Sequence, residues 1–267
     1  LLLQDKTGTV DAKVWDLNNG IEHFESMDFI KIDGMVTSFQ GALQVNVRRV
    51  RRTQEQEYDI RDYLPTSRFS IDDMMKELTG YITTIQNPYL KVLLESFFLK
   101  DMDFIKSFKE HSAAKSVHHG FVGGLLEHTL SVTKLCDFYC KRYPILNRDL
   151  LLTAAMCHDI GKTTELSLFP ANDYTDEGQL LGHIVVGTEM IHDRIREIPN
   201  FPKTLANELK HCILAHHGEL EYGSPKKPAL AEAMALNLAD NTDAKMETMT
   251  EIFAAAADTT EWLGYNR

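Results

Sequence analysis

Seven side chains of the kinds that bind metals occur in order between residues 128 and 240. They are His128, the pair His158-Asp159, His183, the pair His216-His217 and Asp240. Each lies in or beside a stretch with the apolar periodicity of a helix. Imidazole nitrogens and carboxylate oxygens together suit borderline divalent metals such as Mn²⁺, Fe²⁺, Co²⁺ or Zn²⁺. One metal rarely needs more than about four protein ligands. The set therefore predicts two metals bridged by one carboxylate, which is a phosphoester-hydrolysis site.

The grouping of these residues favours a metal site over an accidental histidine-rich helical core, which is the alternative. A single histidine on an apolar helix face is more often a core or surface residue than a ligand. His158 and Asp159, however, lie together at a predicted helix end, where adjacent side chains can reach one cleft. Asp240 follows an alanine-rich stretch that predicts close packing, and a buried aspartate there needs a charged partner such as a metal.

Two catalytic roles follow from this site. Two metals about 3.5–4 Å apart suit phosphodiester cleavage, because one lowers the pKa of a bound water and both neutralise charge on the phosphoryl oxygens. Lys162 follows Asp159 closely and is a candidate for stabilising the transition state at a non-bridging phosphate oxygen. The alternative for Lys162 is a solvated lysine at a helix C-terminus.

A loop rich in small and basic residues precedes the first predicted ligand helix, between His111 and Gly120. Small residues between basic ones suit a loop that approaches a phosphate backbone. Lys115, His118 and His119 are therefore candidates for substrate contacts. An ordinary interhelical loop with surface histidines is an equally good interpretation.

The first 52 residues predict a different kind of domain. Every second residue is apolar in three short runs separated by turn residues, which is typical of a small OB-type β-barrel. Its aromatic residues Trp15, Phe24 and Phe39 could stack on bases, and Arg48, Arg49, Arg51 and Arg52 could follow phosphates. Core packing for Trp15 and a solvated face for the arginines are the alternatives. The barrel is expected to be one strand short, and its exposed edges make a homo-oligomer plausible.

The rest of the chain is predicted to be helical. Residues 53–66 are interpreted as a linker and 67–267 as an all-α domain. Ser70 is predicted to cap the first helix, with Asp73 in the capping-box position, and Pro88 to start the second. Further helices are expected over 125–139, 149–157, 182–198, 204–217 and 229–247. Gly161 is expected to terminate the helix that ends near His158.

The length and composition of the chain limit which classes of protein it can belong to. A length of 267 residues allows two domains, and the net charge of −11 argues against binding nucleic acid by bulk attraction, although a local basic groove is compatible with it. There is no apolar run of transmembrane length. The four cysteines, Cys136, Cys140, Cys157 and Cys212, show no CxxC pairing and predict buried free thiols in a reducing cytoplasm. The chain starts without Met inside a predicted strand, so residues are expected to be missing there.

The order of the metal-type residues resembles the HD-domain metal-dependent phosphohydrolase superfamily. The resemblance rests on His128, His158-Asp159 and Asp240, with His183 and His216 matching the extra ligands of its dinuclear members. It implies one metal at His128, His158, Asp159 and Asp240, and a second at Asp159, His183 and His216. It leaves three roles open for His217: a metal ligand, a residue that supports the ligands from behind, or a hydrogen-bond donor to the substrate phosphate.

The whole chain resembles the YhaM-type 3′→5′ exoribonucleases, which join an OB-fold to an HD domain. The flanking phrases carry this resemblance: Leu1 to Asp16, Ala114 to His119, Gly123 to Thr129, and Ala215 to Gly218. It implies two divalent metal ions, Mn²⁺ or Co²⁺, and removal of nucleoside 5′-monophosphates from the 3′ end of single-stranded RNA, with single-stranded DNA a poorer substrate. The alternatives are a small-nucleotide or cyclic-dinucleotide phosphohydrolase and a non-catalytic, replication-associated nucleic-acid-binding protein.

Overall fold

The chain folds into two compact units. The structure is a computed structural model that describes residues 1–15, 20–54, 56–115 and 119–256. The first unit is Leu1–Thr66 and the second begins at Ser67. Within the described residues, no helix has the length and apolar character needed to cross a membrane.

The first unit is built on an open sheet. Its strands are β1 (Leu2–Asp5), β2 (Gly8–Val14), β3 (Ile30–Phe39) and β4 (Ala42–Arg52), in the order β1-β2-β4-β3. The β1–β2 and β3–β4 pairs are antiparallel, whereas β2 and β4 are parallel. Among the described residues the edge strands β1 and β3 do not pair with each other, so the sheet does not close. This topology is consistent with an incomplete OB-like fold, as predicted.

A bulge in β4 decides which side chains of the sheet face outward. Asp33 pairs with Arg49 and Gly34 pairs with Val47, so that Arg48 is left without a partner on β3. Both Arg48 and Arg49 are exposed as a result. A side chain at residue 34 would lie 2.6 Å from the backbone oxygen of Asn46, which explains the glycine there.

Residues 53–66, interpreted above as a linker, belong to the first unit and pack on its sheet. The backbone N–H of Thr53 donates to the carbonyl of Phe29, and a short 3₁₀ helix forms over Ile60–Asp62. The ring of Tyr58 stacks on Phe29 with centroids 4.3 Å apart, and Tyr63 meets both rings edge-on. These aromatic contacts hold the segment to the sheet. The polar sequence of the segment does not predict this packing.

The second unit is all helical. Its helices are α1 (Ile71–Thr84), α2 (Pro88–Glu95), α3 (Met102–Glu110), α4 (Gly124–Arg142), α5 (Arg148–Cys157), α6 (Lys162–Glu165), α7 (Asp176–Glu197), α8 (Lys203–Leu214) and α9 (Ala231–Ala255), with a π-helical turn over Ser96–Lys100. The predicted starts are confirmed: Ser70 accepts the N–H of Asp73, and Pro88 opens α2. All of α5 from Leu150 to Cys157 is buried, as expected of a central helix that is apolar on every side.

A close approach between α6 and α7 brings two of the predicted ligands together. Gly161 has ordinary helical dihedrals (φ −63°) and precedes α6, while α5 already ends at Cys157, so the prediction that Gly161 terminates that helix is wrong. A Cβ at residue 161 would overlap the carbonyl oxygen of His183 and lie 2.7 Å from the backbone nitrogen of Gly187. Only glycine lets the backbone of α7 come this near.

Candidate metal centre

A first group of donor atoms converges from three places in the helical unit. His128 comes from α4, His158 and Asp159 follow α5, and Asp240 lies on α9. The Nε2 atom of His128 is 3.1 Å from Nε2 of His158, 3.5 Å from Oδ2 of Asp159 and 3.2 Å from Oδ1 of Asp240. His158 Nε2 is 3.3 Å from the same Asp159 oxygen. We call these four residues group one.

A second group forms on the other oxygen of Asp159. Its Oδ1 atom lies 3.5 Å from Nε2 of His183 on α7 and 3.6 Å from Nε2 of His216, which follows α8. All three atoms are buried and make no hydrogen bond to any described residue. We call Asp159, His183 and His216 group two. Because its two oxygens face different groups, Asp159 has the position of a bridging carboxylate.

The distances between the donor atoms fit a common metal ion at each group. Ligand atoms about 2.0–2.2 Å from a common ion are separated from one another by about 3 to 3.5 Å. Buried polar atoms without a partner are costly, and a cation at each group would satisfy them. His217 stands beside group two: ring nitrogens of His183, His216 and His217 lie within 4.8 Å of one another. The residues present therefore fit two divalent metals.

Each imidazole is held by its far nitrogen so that the other is left for a ligand. The Nδ1 atoms of His158, His216 and His217 donate to main-chain carbonyls at 2.8, 2.7 and 2.9 Å. Nδ1 of His128 and of His183 donate to carboxylates instead, as described below. Since a carbonyl can only accept, Nδ1 of these rings carries a proton, and Nε2 is the nitrogen whose lone pair a metal would use.

Electrostatics make group one strongly attractive to cations. Burial acts to lower the pKa of His128, but hydrogen bonds to Asp240 and Asp243 outweigh it and raise the pKa to about 10. Burial likewise acts to raise the pKa of Asp159, yet the charge of Lys162 holds it well below its usual range. The Lys162 ammonium donates to Oδ2 of Asp159 at 2.6 Å. The carboxylates of the site are therefore charged.

The predicted loop residues are not all where the sequence suggested. Lys115 is exposed, and its ammonium pairs with Asp173 at 2.6 Å. His118 lies outside the described residues. His119 is only 2% exposed, and its Nε2 lies 3.0 Å from Oδ2 of Asp243, so it packs behind the centre, whereas the sequence predicts a substrate contact.

Two carboxylates at the centre were not predicted from the sequence. Asp243 accepts Nδ1 of His128 at 2.7 Å, and Glu165 accepts Nδ1 of His183 at 3.0 Å. Asp243 could have been found, because it lies three residues after Asp240 on α9 and so faces the same way. Glu165 has no comparable signal, since the chain reverses between α6 and α7.

Some of the RNA contacts predicted in the sheet unit are exposed side chains, whereas others are already paired or half-buried. Trp15 is 77% and Phe39 63% exposed. Arg48 and Arg49 are exposed and form no ion pair with any described residue.

Three other side chains of this unit are engaged, contrary to expectation. Arg51 holds Glu57 through two bonds of 2.6 and 2.5 Å, and Arg52 holds Asp28 at 2.6 Å. Phe24 is half-buried against the sheet's small core, so the prediction of an exposed stacking ring is wrong for it.

Comparison with known proteins identifies the family. Residues 125–245 match the HD domain family, a metal-dependent phosphohydrolase domain, and contain all seven predicted donor residues. The protein named 3′-5′ exoribonuclease YhaM from Bacillus subtilis (strain 168) is 37% identical over 251 residues, which cover 93% of this chain and 79% of that protein. The chain belongs to the YhaM family of 3′-5′ exoribonucleases.

The YhaM assignment includes the sheet unit as well as the HD domain. A second YhaM relative, from Geobacillus sp. (strain WCH70), is 36% identical over 248 residues, covering 92% of this chain and 75% of that protein. No solved structure matches the chain. The resemblance inferred from the sequence is thus confirmed, and with it the class of metal-dependent hydrolase.

Proposed function

We propose that this chain is a 3′→5′ exoribonuclease that removes nucleoside 5′-monophosphates from single-stranded RNA, and less well from single-stranded DNA, at a centre of two divalent metals. The observation that carries the proposal is the pair of oxygens of Asp159. One is directed to His128 and His158, and the other to His183 and His216, at 3.3–3.6 Å. A single metal would not require both oxygens to be surrounded in this way.

The metal ions, when bound, would lower the pKa of a water molecule and neutralise charge on the phosphoryl oxygens. Mn²⁺ is our first choice, with Co²⁺, Fe²⁺ and Zn²⁺ as the other borderline ions that this donor set suits. Group one would hold one ion and group two the other, with His217 at the edge of group two, where a scissile phosphate could meet it.

Lys162 has a separate role in this proposal. Its ammonium is half-buried and lies 2.6 Å from Oδ2 of the carboxylate that both groups share. From there it offsets part of the negative charge of the site and would donate to a non-bridging oxygen of the scissile phosphate. Lys115 is exposed at the surface and would act only in guiding the strand.

The sheet unit would hold the RNA upstream of the cleaved end. Exposed Trp15 and Phe39 offer faces for base stacking, and Arg48 and Arg49 offer charge for phosphates. A cytoplasmic location agrees with this substrate and with four free cysteines. Association of copies through the open sheet edges is part of the same proposal.

RNA labelled at its 5′ end tests the proposed activity. With Mn²⁺ the protein should produce a ladder that shortens from the 3′ end and release nucleoside 5′-monophosphates, and chelator should stop both. Intact RNA in the presence of Mn²⁺, together with turnover of mononucleotides or cyclic dinucleotides, would instead assign the site to a small-molecule phosphohydrolase.

The basic run of β4 gives a matched pair of variants. Changing Arg48 and Arg49 to Ala should weaken RNA binding and reduce the slope of log affinity against log salt by about 1 to 2, because each phosphate neutralised by the protein contributes about 0.7 to that slope for single strands. Changing Arg51 and Arg52 to Ala, whose guanidinium groups are held by Glu57 and Asp28, should have little effect on the slope.

Fluorescence titrations over a series of salt concentrations measure both variants, and circular dichroism checks that both are folded. Equal slopes for the two double variants would show that the ion pairs do not decide which arginines meet RNA.

Metal binding should raise the thermal stability of the helical unit. At a Mn²⁺ concentration about 100 times Kd, a bound ion adds about 2.7 kcal/mol, which corresponds to a rise in Tm of about 5–10 °C for a unit of this size. Chelator should reverse the rise. Scanning calorimetry with and without Mn²⁺ measures it, and an unchanged Tm over a wide Mn²⁺ range would contradict the metal centre.

A further inference from the structure

The histidines of the centre fall into two kinds according to what holds their Nδ1 atoms. His158 and His216 each donate to the carbonyl three residues earlier in their own turn, and His217 to that of Tyr222. His128 and His183 donate to carboxylates on other elements. Group one and group two thus each contain one imidazole with an anionic partner.

The carboxylate behind group one is Asp243. Its Oδ2 atom accepts Nδ1 of His128 at 2.7 Å and lies 3.0 Å from Nε2 of His119, and its Oδ1 accepts the Ser131 hydroxyl. Asp243 is 8% and His119 2% exposed. Two partners on α4 and one on the loop before it therefore fix this carboxylate, and through it the plane of the His128 ring.

The carboxylate behind group two is Glu165, at the end of α6. Its Oε1 atom accepts both Nδ1 and the backbone N–H of His183, each at 3.0 Å. Gly182, with φ of +74°, breaks the regular course of α7 just before His183 and turns that backbone N–H toward the glutamate. One oxygen of Glu165 thus holds His183 both at its ring and at its backbone.

Asp243, His119 and His128 also lie close enough together to resemble a third metal group. The contacts argue against that use. Nε2 of His128 belongs to group one, and both oxygens of Asp243 already accept hydrogen bonds. The cluster is better described as a support for His128.

We propose that Asp243 and Glu165 are positioning residues that set the metal affinities of the two groups separately, Asp243 through His128 and Glu165 through His183. This inference rests on the proposed function, because it requires that both groups hold metal. An anionic partner fixes the orientation of a ligating imidazole and makes its free nitrogen more basic, and losing such a partner costs about 10- to 100-fold in metal affinity. The carbonyl-held rings lack this added basicity.

The test compares Asp243→Asn and Glu165→Gln, which keep the size of each side chain and remove its charge. Titration calorimetry with Mn²⁺ on the metal-free protein measures the two classes of site. Each variant should weaken one class by about 10- to 100-fold and leave the other within a few-fold, and the double variant should weaken both. Electron paramagnetic resonance of the half-loaded variants should show isolated Mn²⁺ in place of a coupled pair.

Asp137→Asn is the matched control. Asp137 is a buried carboxylate on α4 that pairs with Lys141 and Arg148 and touches none of the histidines of the centre. Its loss should lower Tm without changing Mn²⁺ affinity. The proposal is overturned if both site variants bind Mn²⁺ like the unaltered protein, if both weaken the same class, or if Asp137→Asn weakens binding equally.

These outcomes are separable from failure of the proposed function. If the unaltered protein degrades RNA with Mn²⁺ while the variants keep full affinity, the nuclease assignment stands and the positioning roles fall. If the unaltered protein neither takes up Mn²⁺ nor shortens RNA, the proposed function itself falls.

Discussion

Replacing Asp159 with Ala is expected to reduce RNA hydrolysis on the order of 10³-fold or more, equivalent to about 4 kcal/mol in the activation free energy. The carboxylate is the only described side chain with one oxygen in each donor group. Its removal would therefore take a ligand from both of the proposed metals at once. It also releases Lys162 from its ion pair, so the positive charge of the site moves.

The measurement is the rate of 3′-end shortening at saturating Mn²⁺, with metal content determined on the same sample. Asp137→Ala serves as the control, because it removes another buried aspartate of the helical unit that lies away from the histidines. Near-normal turnover by Asp159→Ala in a buffer of defined metal content would rule out the bridged centre. Loss of activity in both variants would indicate a general loss of fold.

Gly161→Ala should be nearly as damaging, although its side chain is a single methyl group. The new Cβ would overlap the carbonyl oxygen of His183 and press on the backbone nitrogen of Gly187, and neither backbone atom can rotate away. We expect a loss of about 1–3 kcal/mol in the free energy of unfolding as α6 and α7 separate. A displacement of His183 of about 1 Å would further cost about 10²-fold in turnover.

Gly80→Ala is the matched substitution for this experiment. Gly80 lies on the exposed face of α1 with nothing within 4 Å of a Cβ, so alanine there should stabilise the helix by about 0.5–1 kcal/mol and leave turnover unchanged. Urea unfolding and RNA turnover measured on both variants give the comparison. A Gly161→Ala protein that is as stable and active as the unaltered one would show that the backbone contact is not required.

The sequence was informative wherever function depends on residue type and short spacing. His158 and Asp159 are adjacent, so any helix end that points one of them into a cleft brings the other with it. Ser70 and Pro88 mark helix starts for reasons confined to a few neighbouring residues. Such local features can be predicted without knowledge of the tertiary fold.

Features that depend on a distant partner were not predictable. Arg48 to Arg52 looks like one basic run, but Glu57 and Asp28 engage its last two arginines and a bulge in β4 leaves the first two exposed. His119 is buried because it packs against Asp243, which lies on α9, far along the chain. Gly161 looks like a helix terminator in the sequence, because the backbone of α7 that packs against it is distant in the chain.

The donors of the centre come from α4, α7, α9 and the ends of α5 and α8. None of these elements carries a complete coordination sphere by itself, so a bound cation would join helices that otherwise contact one another through packing and hydrogen bonds. Opening any one of them would dismantle at least one sphere. The helical unit would therefore lose its ions and its fold together, in one cooperative step. A nuclease that begins to unfold would then be inactivated before it could cut indiscriminately.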